Sequence, residues 1–274
     1  MEILSAAPTP EERGGIRHHL LGVLDPTERC TASRYRDMAN DAIHMVMRSG
    51  ATPVVCGGSG LYISALTTSA RFSVESDPEL HAQLLGIADR PGGVRKLHDM
   101  LEACDPVAAA RLHENDVRRV VRALEVFQLT GETQSAFIAA DARAEKPYRE
   151  RIYALDWPRA ELYRRINDRV DVMVAAGLFR EVQALLDRHQ AFPTAGQAIG
   201  FSVIAEALAG KLPADQAISL MKQGTRNYAK RQISWIRRLS GVTWVPAQNL
   251  SAREIASRIA EEYTSCGEKW QEGC

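Results

Sequence analysis

The sequence TPVVCGGSGLYISAL, at residues 52–66, decides the predicted fold class. Its first part, Thr52–Cys56, is a short apolar run typical of a buried strand, and the GGSG turn after it leads into a helix-forming segment. A strand, a glycine turn and a helix make an α/β unit, and ligands commonly bind at the ends of such strands. The stretch therefore predicts an α/β fold with a binding site near the turn.

The sequence on either side of this stretch adds helices and a second strand. Ser33–Arg48 predicts a helix whose apolar face consists of Tyr35, Met38, Ala42, Met45 and Val46. Arg151–Leu155 predicts the second strand, and a helix over Arg159–Ala176 follows it. A long helix is predicted from Ala214 to Leu239. This order of elements extends the α/β pattern through the second half of the chain.

Residues 73–146 interrupt the pattern, because they contain no convincing strand. They predict helices that break at Pro91–Gly93, at Asp105–Pro106 and at Thr130–Gly131. An all-helical stretch inside an α/β pattern indicates an inserted subdomain. The predicted parts are a first core segment, a helical insertion, a second core segment with C-terminal helices, and a C-terminal helix or tail, at residues 1–72, 73–146, 147–250 and 251–274.

Composition narrows the class of protein. The 34 lysines and arginines balance the 34 acids, so attraction for a nucleic acid must come from local patches. The five cysteines show no C-x-x-C spacing, which argues against a zinc site and a disulfide framework. The sequence shows no signal peptide and no apolar run long enough to cross a membrane. These features predict a soluble cytoplasmic protein with no membrane partner and no metal-ligating residues.

The glycine turn is the first candidate site. Gly57, Gly58 and Gly60 allow close backbone approach, and the amides at the start of the following helix attract anions. Ser59 adds a hydroxyl at the same place. The alternative is a turn with no function beyond joining two elements. The pattern G-x-x-x-x-G-K-[ST] does not occur in the sequence, so the turn is not a Walker A phosphate loop.

A helix with an arginine face is the second candidate. It begins within HENDVRRVVRALEVF (residues 113–127), with Asn115 as its predicted N-cap and Asp116 in its first turn. One face carries Val117, Val120, Val121, Leu124 and Phe127. The opposite face carries Arg118, Arg119 and Arg122. Without interleaved acids these arginines suit an RNA backbone, and a solvated face is the alternative.

The long C-terminal helix repeats this division. Its basic residues, which fall within about 80° of one another, are Lys222, Arg226, Lys230 and Arg237. Its opposite side carries Met221, Tyr228, Trp235 and Leu239. We interpret the apolar side as core. The basic side either follows a phosphate backbone or serves solubility.

Arg169 lies at the edge of the apolar stripe of its helix, which consists of Leu162, Ile166, Val170 and Met173. A guanidinium beside a buried face needs an anionic partner, because its desolvation is otherwise costly. That partner is either an internal carboxylate or a substrate phosphate. Elsewhere, His18 and His19 are adjacent, so they do not form a metal pair, and at least one of them is interpreted as structural.

Five segments resemble, in order, the successive signatures of the tRNA dimethylallyltransferase family. They span residues 8–239 and read PTPEERGGIRHHLLGVLDP, PVVCGGSGLYISAL, DPVAAARLHENDVRRVVRALEVFQLTG, ALDWPRAELYRRINDRVDVMVAAGL and GTRNYAKRQISWIRRL. The resemblance implies an α/β fold with a P-loop-kinase-like parallel-sheet core and an all-helical insertion. It also implies transfer of a dimethylallyl group from dimethylallyl diphosphate to N6 of the adenosine 3′ to the anticodon, with Mg²⁺ present. The implied protein is a monomer that binds the anticodon stem-loop of tRNA and flips the target base into a channel.

The resemblance also assigns residues. Ser59 stands where the family usually has a threonine near the reaction centre, and Arg169 matches the arginine that binds the diphosphate. The match of Arg169 favours a substrate phosphate over an internal carboxylate as its partner. The other residues implied to contact substrate or tRNA are Gly57, Gly58, Gly60, His81, Asn115, Asp116, Arg118, Arg119, Val120, Val121, Arg122, Arg226, Lys230 and Arg231.

The sequence departs from the family in its first part. The family's Walker A loop, and the aspartate segment that supplies its general base, have no counterpart here, so roughly forty residues are expected to be missing. Ala7 stands at a lysine position, and Arg17 stands where a proline is common. The chain is therefore expected to be a poor catalyst or none. The alternatives are an adenylate isopentenyltransferase and a non-catalytic RNA-binding remnant, and the basic helices favour tRNA over a mononucleotide.

Overall fold

The structure is a computed structural model, and it describes residues 1–68, 74–144 and 146–271. Their contacts form two compact units. The first, the sheet unit, comprises residues 1–31, 38–60 and 150–274. The second, the helical unit, comprises residues 32–37 and 61–149. The division at residues 72, 146 and 250 stays a prediction, and Ser73 lies outside the described residues.

The sheet unit contains two parallel strands, β1 (Ile152–Asp156) and β2 (Val242–Pro246). Ile152 pairs with Val242 at one end of the sheet, and Asp156 pairs with Pro246 at the other. Parallel strands need a long crossover, and a series of helices supplies it here. The helices of the sheet unit are α8 (Arg159–Ala175), α9 (Leu178–Arg188), a short 3-10 turn (Ala195–Gln197), α10 (Phe201–Leu208), α11 (Ala214–Ile236) and α12 (Ala252–Gln271). The fold is thus α/β, mostly helical with a small parallel sheet.

The predictions for this unit are largely confirmed. β1, α8 and α11 lie where the sequence placed them, within a few residues at each end. α8 ends before Gly177, whose φ of +101° is a left-handed conformation that glycine adopts without strain. The apolar faces of α8 to α11 meet in one core, whose buried members are Leu4, Val170, Leu178, Val182, Leu185, Phe201, Ile204, Ala217 and Met221.

The strand predicted at Thr52–Cys56 is wrong. This segment has no regular structure, and the side chains of Val54 and Val55 are 81% and 53% exposed. An apolar run becomes a strand only beside a partner that accepts and donates its backbone hydrogen bonds. Among the described residues β1 pairs with β2 and no strand pairs with residues 52–56.

Two helices flank that segment. α1 (Ala32–Arg48) has the predicted limits, but its buried residues are Ala39 and Ile43, whereas Met45 of the predicted face is 44% exposed. The apolar face is therefore rotated from the prediction. α2 (Gly60–Thr67) begins directly after the glycine turn, as the sequence predicts.

The helical unit is built from α3 to α7, and no strand occurs among its described residues. The helices are α3 (Pro78–Ala88), α4 (Gly93–Cys104), α5 (Pro106–Arg111), α6 (Val117–Thr130) and α7 (Gln134–Arg143). The three predicted breaks are confirmed. Gly93 is required at the first break, because a Cβ there would lie 1.7 Å from the carbonyl oxygen of Ile87. The buried core of this unit consists of Leu84, Leu97, Leu101, Ala108, Ala109, Leu112, Val120, Val121, Ala123 and Leu124.

A buried carboxylate closes the second break. Asp105 is 3% exposed, and it accepts hydrogen bonds from the backbone nitrogens of Ala108 (3.0 Å) and Ser135 (2.9 Å). It therefore caps α5 and fixes the start of α7 at the same time. Burial would raise the pKa of Asp105, but the hydrogen bonds from Ala108 and Ser135 lower it overall.

None of the helices within residues 1–68, 74–144 and 146–271 is long and apolar enough to cross a membrane.

Candidate active site

The sheet unit contains a cleft of about 590 Å³ beside α8 and α11. Its wall is apolar on most sides, with a few polar groups at defined places. The lining residues are Leu4, Ser5, Arg165, Ile166, Arg169, Val170, Met173, Gln197, Ala198, Ile199, Met221, Thr225 and Tyr228. An apolar cleft with few convergent polar groups is the usual form of a small-molecule site.

Arg169 is the central polar residue of the cleft. Its side chain is exposed, and its only hydrogen bond among the described residues runs from Nη2 to the carbonyl oxygen of Ala6, at 3.4 Å. No described carboxylate forms an ion pair with it. The guanidinium, therefore, does not have the internal carboxylate that the sequence left as one alternative. Its positive charge is available to an anion that enters the cleft.

The N-terminal segment is held in place by a carboxylate of α9. The backbone nitrogens of Ile3 and Leu4 each donate to an oxygen of Glu181, at 2.9 Å in both cases. This contact fixes Leu4, which is 6% exposed, against the core. It also fixes Ser5 and the carbonyl of Ala6 beside the cleft.

The glycine turn packs against α11. A Cβ on Gly60 would lie 2.7 Å from two ring carbons of Trp235, and a Cβ on Gly58 would lie 2.1 Å from the side-chain nitrogen of Gln232. Gly57 has nothing within 4 Å of such an atom. Gly60 is thus needed for close approach between the turn and α11, whereas the flexible end of Gln232 could move away from a Cβ at Gly58. Ser59 lies between them, half-buried, and its hydroxyl has no hydrogen-bond partner among the described residues.

The turn and the cleft share α11. Thr225 and Tyr228 line the cleft, and Gln232 and Trp235 meet the turn further along the same helix. At a rise of about 1.5 Å per residue, Tyr228 and Gln232 are separated by about 6 Å along the helix axis. One rigid helix therefore carries both features.

The basic stripe of α11 is engaged in helix packing. Lys222 forms an ion pair with Asp171, at 2.6 Å, and Nη1 of Arg226 donates to the side-chain oxygen of Asn167, at 2.6 Å. The next basic residue along the stripe, Lys230, lies 5.9 Å from the ring centroid of Tyr163. Three residues at successive turns of α11 thus meet three polar residues at successive turns of α8. These contacts hold the basic stripe against α8, and its phosphate-binding role and its solubilising role stay predictions.

Two further basic residues of α11 are not part of this row of contacts with α8. Arg231 lies over the ring of Tyr228, with its guanidinium carbon 5.6 Å from the ring centroid. Arg237 is the C-cap of the helix, and its side chain is exposed. Arg231 therefore contacts a cleft residue from the exposed side.

The arginine face of α6 is also largely occupied. Arg119 pairs with Asp116, and Nη1 of Arg122 donates to Oε2 of Glu125 at 2.9 Å. The expectation of an arginine face without interleaved acids is wrong, because Asp116 and Glu125 each lie three residues from the arginine that they pair with. Arg118 is exposed and has no hydrogen bond or ion pair among the described residues. It is the arginine of this face that remains available to a ligand.

Several other residues that the resemblance assigns to tRNA contact lie in the core or at the start of α6. Val120 and Val121 are 0% exposed and belong to the core, so their side chains cannot contact a nucleic acid. The N-cap of α6 is Asp116, so the prediction of Asn115 is wrong. The carboxylate of Asp116 pairs with Arg119 instead of capping the helix, and the cap makes no side-chain hydrogen bond.

Glu125 is the most unexpected residue of the helical unit. It is fully buried, and its carboxylate accepts hydrogen bonds from the hydroxyl of Ser76, the backbone nitrogen of Asp77 and Arg122. Nδ1 of His81 lies 3.6 Å from the same carboxylate. Burial would raise the pKa of Glu125, but the hydrogen bonds and the charge of Arg122 lower it overall. Arg122 and His81, both assigned to tRNA, therefore contact an internal acid.

A cluster on α4 was not found from the sequence. His98, Asp99 and Glu102 offer ligand atoms within 4.8 Å of one another. However, Nε2 of His98 contacts the carbonyl oxygens of Ala109 (3.2 Å) and Leu112 (3.0 Å), and Asp99 pairs with Arg95. These contacts explain the positions of His98 and Asp99 without a metal ion.

His18 and His19 are both exposed, and Nδ1 of His18 contacts the carbonyl oxygen of Ile16 at 2.9 Å. Neither histidine is buried, and the interpretation of at least one of them as structural stays a prediction.

Comparison with known proteins identifies the family. The family model described as IPP transferase matches residues 1–239. This chain is a member of the IPP transferase family. It is 39% identical to the tRNA dimethylallyltransferase of Carboxydothermus hydrogenoformans over 96% of this chain and 84% of that protein. It is 44% identical to the tRNA dimethylallyltransferase of Geobacter metallireducens over 89% of this chain and 79% of that protein.

Solved structures of IPP transferases share the fold. A tRNA isopentenylpyrophosphate transferase from Bacillus halodurans has a TM-score of 0.67 and 34% identity, over 99% of this chain and 84% of that one. A eukaryotic dimethylallyltransferase acting on tRNA has a TM-score of 0.80 and 28% identity, over 96% of this chain and 69% of that one. The family resemblance inferred from the five sequence segments is thereby confirmed.

Proposed function

We propose that this IPP transferase moves a dimethylallyl group from dimethylallyl diphosphate to N6 of the adenosine 3′ to the anticodon in tRNA. The observation that carries the proposal is the cleft, in which Arg169 has no carboxylate partner among the residues that the structure describes and most of the wall is apolar. This combination suits a ligand with a short branched hydrocarbon tail and an anionic diphosphate. The relatives named tRNA dimethylallyltransferase support the same substrates.

In the proposed reaction, the negative charge of the leaving group develops beside Arg169. The N6–C1 bond forms as the bond between C1 and the diphosphate oxygen breaks, the pyrophosphate keeps the electron pair, and N6 releases a proton to the surrounding water. Negative charge therefore grows on the leaving group. A guanidinium fixed beside it stabilises that charge, and such pre-positioned donors are usually a large term in catalysis.

Ser59 is the proposed partner at the reacting end. Its hydroxyl has no partner among residues 1–68, 74–144 and 146–271, and the turn is held close to α11 by Gly60. A rigid turn with an unused hydroxyl is suited to orienting a substrate atom. Gly57 leaves the first amide of the turn uncrowded.

Contacts with the anticodon stem-loop are proposed for both units. In the helical unit Arg118 carries the proposal, since its charge has no internal partner among the described residues. Arg119 is 74% exposed and can exchange Asp116 for a phosphate. In the sheet unit Arg226, Lys230 and Arg231 contact neutral side chains, and no described carboxylate forms an ion pair with them.

The cleft does not fit Mg²⁺ as a protein-held ion. Mg²⁺ prefers carboxylate oxygens together with substrate phosphates, and no carboxylate lines the cleft within the described part of the chain. The proposed reaction therefore contains no step at a metal ion.

A P-loop-kinase-like core, a monomeric state and a cytoplasmic location stay predictions, and the two parallel strands joined by α8 to α11 support the first of them.

The proposal is tested with purified chain, dimethylallyl diphosphate and unmodified tRNA, followed by digestion to nucleosides and mass spectrometry. N6-prenylated adenosine from the base 3′ to the anticodon is the expected product. A parallel reaction with AMP tests the adenylate isopentenyltransferase alternative, for which AMP would be the better acceptor. Binding of tRNA without product from either acceptor would instead favour the RNA-binding remnant. The rate in single turnover also measures the expectation that this chain is a poor catalyst.

A further inference from the structure

Arg165 is a second arginine of the cleft. It lies one helical turn before Arg169 on α8, and both residues line the cleft. Arg165 makes no hydrogen bond or ion pair with any described residue. The two acids nearest to it along the helix, Glu161 and Asp168, are both bound by Arg164, at 2.6 Å and 2.8 Å. Arg164 thus holds both acids in ion pairs, whereas Arg165 acts on Glu161 only through its charge.

Trp157 supports the guanidinium of Arg165 from one side. The guanidinium carbon of Arg165 lies 4.3 Å from the centroid of the Trp157 ring, within the range of a cation–π contact. A guanidinium stacked by its flat face keeps its N–H groups, which lie in the plane, available for hydrogen bonds. Such an edge binds a phosphate group with two parallel hydrogen bonds.

The position of Trp157 is set by the sheet. It follows directly after β1, and it packs on the cluster of Val245, Ala247 and Ile255, which joins β2 to α12. The ring is therefore in place before any ligand binds. Arg165 then loses less conformational freedom on binding than an unsupported side chain would.

We infer that Trp157 is a positioning residue that holds Arg165 beside Arg169, so that the two guanidiniums bind the two phosphate groups of a diphosphate. The identity of the diphosphate as a prenyl donor rests on the proposed function. Two arginines one turn apart favour a diphosphate over a monophosphate, because its two phosphate groups offer more charge and more acceptor oxygens over the span of the two side chains. Arg165 is thus a specificity-determining residue, and Trp157 acts through it.

The test measures the affinity of the full chain for inorganic pyrophosphate and for orthophosphate by calorimetry. Arg165→Gln should weaken pyrophosphate binding by about tenfold, the effect of losing a charge-assisted hydrogen bond. Orthophosphate binding should change by less than about twofold, since Arg169 remains. Arg188→Gln is the matched control, because Arg188 is an exposed arginine in the last turn of α9 that does not line the cleft, and it should leave both affinities unchanged.

Two substitutions of Trp157 test whether its aromatic ring is needed to hold Arg165. Trp157→Leu should weaken pyrophosphate binding by about threefold, the effect of losing a cation–π contact at a partly exposed site. Trp157→Phe keeps a ring and should stay close to the original affinity. If Trp157→Leu does not fold, Arg165→Lys decides, since it keeps the charge without the flat stacking group, and it is expected to bind pyrophosphate as weakly as Arg165→Gln.

Three results would overturn the inference. They are unchanged pyrophosphate affinity in Arg165→Gln, full affinity in Arg165→Lys, and an equal loss in Trp157→Phe and Trp157→Leu. The proposed function fails separately. If the expected pattern of pyrophosphate affinities appears but no prenyl group reaches tRNA, the anion site stands and the prenyl transfer is refuted.

Discussion

Two arginine-rich helices, α6 in the helical unit and α8 in the sheet unit, look alike in sequence and differ in what binds their charges. On α6, Arg119 and Arg122 are taken by acids three residues away. On α8, Arg164 takes two acids in the same way, but Arg165 and Arg169 form no ion pair with a carboxylate of the described residues, and both line an apolar cleft. The number of arginines on a helix face is therefore a poor guide to ligand binding. The acids at the third and fourth neighbouring positions decide which charges remain available.

The largest expected effect is at Glu125 on α6, the helix whose arginines are paired with acids. Glu125→Ala leaves Arg122 and the hydroxyl of Ser76 without their buried acceptor, so we expect the free energy of unfolding to fall by about 3 kcal/mol. Denaturant unfolding followed by circular dichroism measures this change. Glu114→Ala is the control, because Glu114 is 39% exposed in its ion pair with Arg95 and should cost less than about 1 kcal/mol. Equal losses in the two variants would show that Arg122 is not held by an internal acid.

The next largest expected loss of stability is in the glycine turn, at Gly60. Gly60→Ala forces a methyl group to within 2.7 Å of the Trp235 ring, and overpacking of this kind costs about 2 kcal/mol. Gly57→Ala adds the same methyl group where nothing lies within 4 Å, so its unfolding free energy should change by less than about 1 kcal/mol. Thermal unfolding of the two variants makes the comparison. A Gly57→Ala loss as large as that of Gly60→Ala would mean that packing on α11 is not what requires the glycine.

The charge of Glu125 should also appear in the pH dependence of stability. Its pKa in the folded chain is lowered from the ordinary value of 4.5. A lowered pKa stabilises the fold above the unfolded value, and this stabilisation is lost as the pH falls through the folded pKa. Below pH 4.5 the free energy of unfolding should therefore fall more steeply in the original chain than in Glu125→Gln, by up to about 1.4 kcal/mol per pH unit. Identical slopes in both chains would contradict a lowered pKa.

The smallest effect separates the arginines of α6 in tRNA binding. Arg118→Gln should reduce the slope of log affinity against log salt by about one unit, since each phosphate contact contributes about that much. Arg122→Gln should change the slope by less, because Arg122 is bound to Glu125. Filter binding across a series of salt concentrations measures both. A larger change in slope for Arg122→Gln than for Arg118→Gln would show that Arg122, and not Arg118, is the arginine that contacts tRNA.

These contrasts also explain what the sequence could predict. β1, α8, α11 and the breaks of the helical unit follow from local periodicity, glycine and proline, so they are confirmed. Arg169 has no acid three or four positions away on its helix, and its lack of an internal partner could be read from the sequence. The strand at Thr52–Cys56 failed because pairing depends on a neighbouring strand, which local pattern does not contain.

Other parts of the site required the folded structure. Glu125 lies among the buried apolar residues of α6, so its pairing with Arg122 and its contact with residues 76–77 were hidden by the helical pattern. Arg165 was overlooked because its availability depends on Arg164 taking the nearby acids and on Trp157 lying beside it. The two arginines at i and i+4, Arg165 and Arg169, were the signal in the sequence that could have indicated the pair.

The central claim is that the diphosphate end of the substrate binds at Arg169 and that tRNA binds elsewhere. Its most direct test is the affinity of Arg169→Gln for dimethylallyl diphosphate and for unmodified tRNA, measured by calorimetry beside Arg188→Gln, which changes an exposed arginine outside the cleft. We predict that Arg169→Gln binds the diphosphate about thirtyfold more weakly, as expected for lost charge-assisted hydrogen bonds, and binds tRNA as before. Arg188→Gln should match the original chain in both measurements. Retained diphosphate affinity with weakened tRNA binding in Arg169→Gln would contradict the account.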